Sequence, residues 1–203
     1  MPKATKRSSR TSFSSIIIAV GVVGVVCALM ILIWPAIQSS ARAADRRARH
    51  ADLSQARVRW EAQGFSNYRL SIQLQPSDDP VCEVVFEVRV ASPPTAVLDT
   101  CAMRNDSNLQ YFIDTHGSVP DLFNYIEGEI DQWGGCGPNG CGCDGRRIVE
   151  VLYDREHGYP QRFAERYQHD WTTQRFLQRF LQGCSLIGFS DRAPFTASVS
   201  PLE

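Results

Sequence analysis

Residues 16–34 read IIIAVGVVGVVCALMILIW, nineteen positions without a charge. At about 1.5 Å per residue a helix of that length spans roughly 28 Å, close to the hydrocarbon thickness of a bilayer. A buried core helix is the other home for such a run, but core helices rarely stay apolar around their whole circumference. The run therefore predicts a transmembrane helix, preceded by a short tail at 1–15 and followed by a soluble portion. Gly21, Gly24 and Ala28 place small residues on one side, where a partner helix can pack, although such residues are also ordinary membrane-helix composition. Trp34 sits where an interfacial aromatic belongs, and Pro35 is the expected stop.

Ala41-Arg42-Ala43 has the small-x-small form of a signal cleavage site. The apolar run is longer than a signal h-region, however, and the site lies well beyond its end, so an uncleaved signal anchor is the reading. Lipidation at Cys27 does not fit, because apolar sequence continues past it. Flanking charge does not set the orientation. Lys3, Lys6, Arg7 and Arg10 precede the run, and Arg42, Arg46, Arg47 and Arg49 follow it. The cysteines decide instead. Cys82, Cys101, Cys136, Cys141, Cys143 and Cys184 all lie beyond the anchor, an even number that favours disulfides and an oxidising compartment. The expected topology is a cytoplasmic N-terminus with the C-terminal domain outside, periplasmic or extracellular.

The chain carries a net charge of −1, and its four N-terminal basic residues leave the remainder at −5. A mildly acidic ectodomain offers no general phosphate-neutralising surface, so no nucleic-acid partner is expected. The predicted organisation is a tail at 1–15, the membrane helix at 16–34, a stalk at 35–51, one extracytoplasmic domain at 52–190, and a flexible Pro/Ser-rich tail at 191–203.

Residues 39–63 lack Pro and Gly, and Leu53, Ala56 and Trp60 recur at helical spacing until Gly64 stops the helix. The period then changes to two. Tyr68, Leu70, Ile72 and Leu74 alternate with Arg69, Ser71 and Gln73, a half-buried strand. After the loop PSDDP, Cys82, Val84, Phe86 and Val88 alternate with Glu83, Glu87 and Arg89 in a second strand. The turn SPP leads to a third at 96–101. A hairpin register centred on Ala91–Ser92 sets Cys82 against Cys101 as a first disulfide pair. Ser118, Pro120 and Asp121 start a helix at 118–133 with Leu122, Phe123, Ile126, Ile130 and Trp133 on one face. Ile148 to Tyr153 is apolar enough for a central strand, and 163–167 completes the sheet. A last helix at 172–182 carries Phe176, Leu177, Phe180 and Leu181. The fold class is α+β, an antiparallel sheet of about five strands with helices on one face, preceded by the transmembrane helix. The opposite face, with Arg69, Ser71, Gln73, Glu83, Glu87 and Arg89, stays wet and is the expected recognition surface together with the cysteine loop.

Cys136-Gly-Pro-Asn-Gly-Cys141-Gly-Cys143 gathers three thiols in eight residues. The C-x-C step lacks the paired spacing of a structural zinc site, so disulfides involving Cys184 are expected rather than a metal. The loop DREHGYP at 154–160 brings His157 near Asp154 and Glu156, and His169 adjoins Asp170. Charged residues in an exposed turn are usually solvated, so neither group is read as an acid–base pair. Asn105-Asp106-Ser107 is a glycosylation sequon by pattern, relevant only in a eukaryotic host. No catalytic residue, cofactor or metal is assigned.

Three segments carry a resemblance: Trp60-Glu61 with Tyr68-Arg69, Ser118-Val119-x-Asp121-Leu122-Phe123, and Tyr153-Asp154-x₃-Gly158-Tyr159-Pro160. Together, over about residues 52–170, they resemble a bacterial domain-of-unknown-function family of small secreted lipoproteins and membrane-anchored envelope proteins. The resemblance implies no catalytic residue. This chain departs from the lipoprotein members in its full membrane run, its glycine-rich cysteine loop and its C-terminal helix. The expected function is a non-enzymatic binding or interaction module of the envelope, its partner another envelope protein or a small ligand. An enzyme whose site is assembled from distant residues, or a structural subunit of a membrane complex, are the alternatives.

Overall fold

The computed structural model describes residues 13–75, 80–103, 106–132, 146–168 and 194–202; within 13–38 the side chains described are those of Gly24, Leu29, Ile33 and Ile37. Cys136, Cys141, Cys143, Cys184, the predicted helix at 172–182, the pair His169-Asp170, Asn105, Trp133 and residues 76–79 lie outside the described residues. The chain divides into two compact units, Met1–Asp45 and Arg46–Glu203.

In the first unit the backbone is helical from Phe13, within α1 (Phe13–Gln63). Leu29, Ile33 and Ile37, four residues apart and so on one side of that helix, are about half exposed. Among the described residues no helix is long and apolar enough to cross a membrane. Of the run at 16–34, the side chains among those residues are Gly24, Leu29 and Ile33. Pro35 does not end the helix as expected: α1 runs through it. A proline forfeits one amide donor, and the remaining bonds of the turn can carry a helix onward.

The second unit is α+β. After α1 come β1 (Asn67–Leu74), β2 (Cys82–Arg89), β3 (Ser92–Asp99), α2 (Ser107–Thr115), α3 (Val119–Asp131), β4 (Arg146–Tyr153), β5 (Pro160–Gln168) and β6 (Phe195–Pro201). The six strands form one sheet in the order β3-β2-β1-β6-β5-β4, every neighbouring pair antiparallel. The expected alternation along β1 and β2 is present: Tyr68, Leu70, Ile72, Leu74, Cys82, Val84 and Phe86 are buried. Leu70, Ile72 and Val84 meet Leu122, Phe123 and Ile126 of α3 in one apolar core, where burial of each large side chain contributes roughly 1.5–3 kcal/mol. Aromatic contacts tie the helices to the same sheet face: Trp60 of α1 lies 5.1 Å from Tyr68, Phe112 of α2 5.7 Å from Phe195, and Tyr125 of α3 5.2 Å from Phe163.

Four expectations are corrected here. The sheet has six strands, because Phe195–Pro201, expected to be a flexible tail, is β6. It pairs with β1 over its whole length, Leu74↔Phe195 to Tyr68↔Pro201, and buries Phe195 and Ala197. Serine and threonine on alternate positions give a strand with one wet face, and the terminal proline falls where the ladder ends. With β6 in the middle, β4 becomes an edge among the described residues rather than a central strand, and Leu152, on its outward face, is exposed. The third strand starts at Ser92 and contains Pro93 and Pro94, which fall at the register shift between Thr95 and Ser92 on an edge strand, where missing donors are tolerated. Finally, α2 was not foreseen. Asp106, read as part of a sequon, is its N-cap and accepts from the Asn108 and Leu109 amides.

The helix boundaries follow their local chemistry. Ser118 caps α3, accepting the Asp121 amide at 3.3 Å while its hydroxyl donates to the Asp121 carboxylate. Gly64, at φ 63°, closes α1. Docking of α1 on the domain starts before the predicted boundary at residue 51. Arg49 donates to the Val149 carbonyl at 2.6 Å, and His50 meets Asp131 at 3.1 Å.

Candidate functional site

The open face is built from the side chains that point away from the helices. Register places Arg69, Ser71 and Gln73 of β1 beside Ser200, Ser198 and Thr196 of β6, a central strip of hydroxyl and amide groups. On one side stand Glu83, Val85, Glu87 and Arg89 of β2; on the other, Arg162 and Arg166 of β5, with Glu150 and Leu152 of β4. Ion pairs and hydrogen bonds lace the margins. Arg69 meets Glu87 at 2.9 Å, Arg89 meets Glu87 at 3.3 Å, Ser71 donates to Glu83, and Arg166 meets Glu150 at 2.6 Å. Hydrogen bonds from Arg69, then Arg89, hold the Glu87 carboxyl below its ordinary range. Among the described residues this face carries no aromatic ring, so stacking on a sugar or a base is not what it offers. It offers donors and acceptors spaced by the strand repeat of about 4.8 Å.

The Cys82–Cys101 pair expected from the hairpin register is present, with the two Cα atoms 5.2 Å apart and both residues buried. The ladder reaches this pairing by two one-residue shifts. It begins as Arg89↔Ser92, steps between Glu87 and Arg89 and again between Val85 and Phe86, and ends as Val84↔Asp99. That last register, extended two residues along β2, sets Cys82 opposite Cys101. The Asp99 carboxylate accepts the amides of Cys101 and Ala102 at 2.8 and 2.9 Å and fixes the turn that carries the second cysteine. The other four candidates, Cys136, Cys141, Cys143 and Cys184, lie outside the described residues. Among the described residues no group of three or more metal-ligating side chains gathers.

A buried ionic cluster joins α3 to β4 and β5. Arg147, at the start of β4, forks onto Glu165 of β5 at 2.5 and 2.8 Å, reaches Gln132 at 2.8 Å, and contacts Glu129 of α3. All three charged residues are buried. Sequence reasoning passed over it, yet a signal existed. Arg147 shares the inward parity of Val149 and Val151, and an inward arginine requires carboxylates to meet it.

Of the two histidine groups of the sequence, His157 with Asp154 and Glu156 lies among the described residues. The Asp154 carboxylate accepts the amides of Glu156 and His157 at 3.0 and 2.7 Å and lies 3.2 Å from His157 Nδ1. Burial opposes its charge, but the His157 and Glu156 amides and the His157 ring outweigh that and hold the carboxyl below its ordinary range. The turn is a docking device for α1. Gly158, at φ 86°, packs directly on the helix backbone at Ala56 and Trp60. Another histidine escaped notice. His116 is half-buried, stacks on Phe112 at 4.7 Å and meets Tyr125 at 4.8 Å. Desolvation by burial pushes its pKa down, against the hydrogen bond to the Phe112 carbonyl.

Trp60-Glu61 with Tyr68-Arg69, Ser118–Phe123 and Tyr153–Pro160 converge. Trp60 meets Tyr68 at 5.1 Å and Tyr159 at 6.4 Å, and the Tyr68 hydroxyl accepts the Val119 amide at 3.1 Å, beside the Ser118 cap. Their common role is to join α1, β1, α3 and the β4–β5 turn. They are a packing kernel, on the opposite side of the sheet from the open face. No protein-family model, curated protein or solved structure matches this chain.

Proposed function

We propose that this chain is a single-pass, membrane-anchored envelope protein whose extracytoplasmic α+β domain is a non-enzymatic binding module. The observation that carries the compartment is the buried Cys82–Cys101 disulfide, a bond that persists in oxidising surroundings. The anchor is supported by the uncharged run at 16–34, by the helical backbone through it, and by the exposure of Leu29 and Ile33. The N-terminal tail then lies in the cytoplasm. Recognition is assigned to the open sheet face, whose central hydroxyl strip and paired charges present a directional set of donors and acceptors to another envelope protein or a small polar ligand. We also place the chain with the envelope family that its three kernel segments resemble; their convergence on one packing site supports a shared fold rather than a shared ligand.

Topology is tested on the full chain in its membrane. A cysteine replacing the exposed Tyr111 should react with a membrane-impermeant maleimide in intact cells, above the level of the unsubstituted chain. Reaction only after permeabilisation refutes the assignment. The binding face is tested by photo-crosslinkers at Ser198 and, as a control, at Asn124 on the outer side of α3. A discrete adduct from Ser198 alone supports the reading; identical patterns from both positions refute it.

A further inference from the structure

We draw no further inference here: the strongest candidate, the apolar margin of the β2–β3 hairpin where Val81, Val90, Val97, Leu98 and Met103 stand exposed, carries nothing because no observation in the structure shows what covers it.

Discussion

Gly158 gives the sharpest test of how the domain is assembled. Its φ of 86° lies in the left-handed region, where an L side chain costs about 1–2 kcal/mol. An added Cβ would stand 2.3 Å from the Ala56 carbonyl oxygen, 2.8 Å from Arg59 Cβ and 3.0 Å from the Trp60 amide nitrogen. Two of these neighbours are helix backbone and cannot rotate away, so the turn must lift off α1. Overpacking of that kind costs about 1–3 kcal/mol. Gly158→Ala should therefore lose about 2–5 kcal/mol. Gly64→Ala is the matched control. It too has a positive φ, 63°, but nothing lies within 4 Å of its Cβ position, so only the backbone cost of about 1–2 kcal/mol applies. Urea unfolding of the full chain in detergent, followed by tryptophan fluorescence, reads both. With a slope of about 2 kcal/mol per molar, the Gly158 variant should unfold roughly 1–2.5 M earlier than the parent and before the Gly64 variant. Coincident midpoints for the two variants would refute the packing argument and the kernel with it.

Other outcomes follow from the same geometry. Phe123→Ala, at a residue only 1% exposed, should cost about 3–5 kcal/mol, whereas Glu87→Ala should move the unfolding midpoint little. Equal small shifts would mean the faces are misassigned. Replacing Cys82 and Cys101 together with alanine opens a loop with a sequence separation of 19 and should cost about 3 kcal/mol, read by denaturation with and without reductant. The double variant should unfold earlier than the parent without reductant, and reductant should close the gap between them by lowering the parent more. Because the folded Asp154 carboxyl ionises more readily than an unfolded one, its contribution is present above the ordinary carboxylate range and is lost as pH falls through the depressed folded value. Asp154→Asn should thus be less stable than the parent at neutral pH, and the two should converge in strong acid. A gap that widens on acidification would contradict the assignment.

The strands and helices that were legible in the sequence are those whose pattern is local. The period-two runs of β1 and β2, the Ser118 cap and the Leu53–Ala56–Trp60 stripe each declare themselves within a dozen residues. What the sequence concealed depends on partners far along the chain. Residues 195–201 look like a polar tail until β1 and β5 close on them, and β4 looks central until β6 takes that place. The disulfide was readable because hairpin register is arithmetic, although the ladder reached it through two shifts no count predicts. The Arg147 cluster was hidden because its carboxylates come from α3 and β5, and only the sheet brings them together. The open face was readable from alternation alone, but its ion pairs were not.

The contact from Arg49 to the Val149 carbonyl bears on how this sheet behaves among its own copies. A free strand edge invites a foreign chain to hydrogen-bond along it, the first step toward aggregation and fibres. At β3 the invitation is withdrawn by Pro93, Pro94 and the irregular ladder. β4, an edge among the described residues, has no proline and a single register shift, at Leu152/Tyr153, and a different element meets its backbone. The guanidinium of Arg49 fills an acceptor that an incoming strand would need. A fragment cut to begin after α1 would lose that contact together with Leu53, Ala56 and Trp60 of the core.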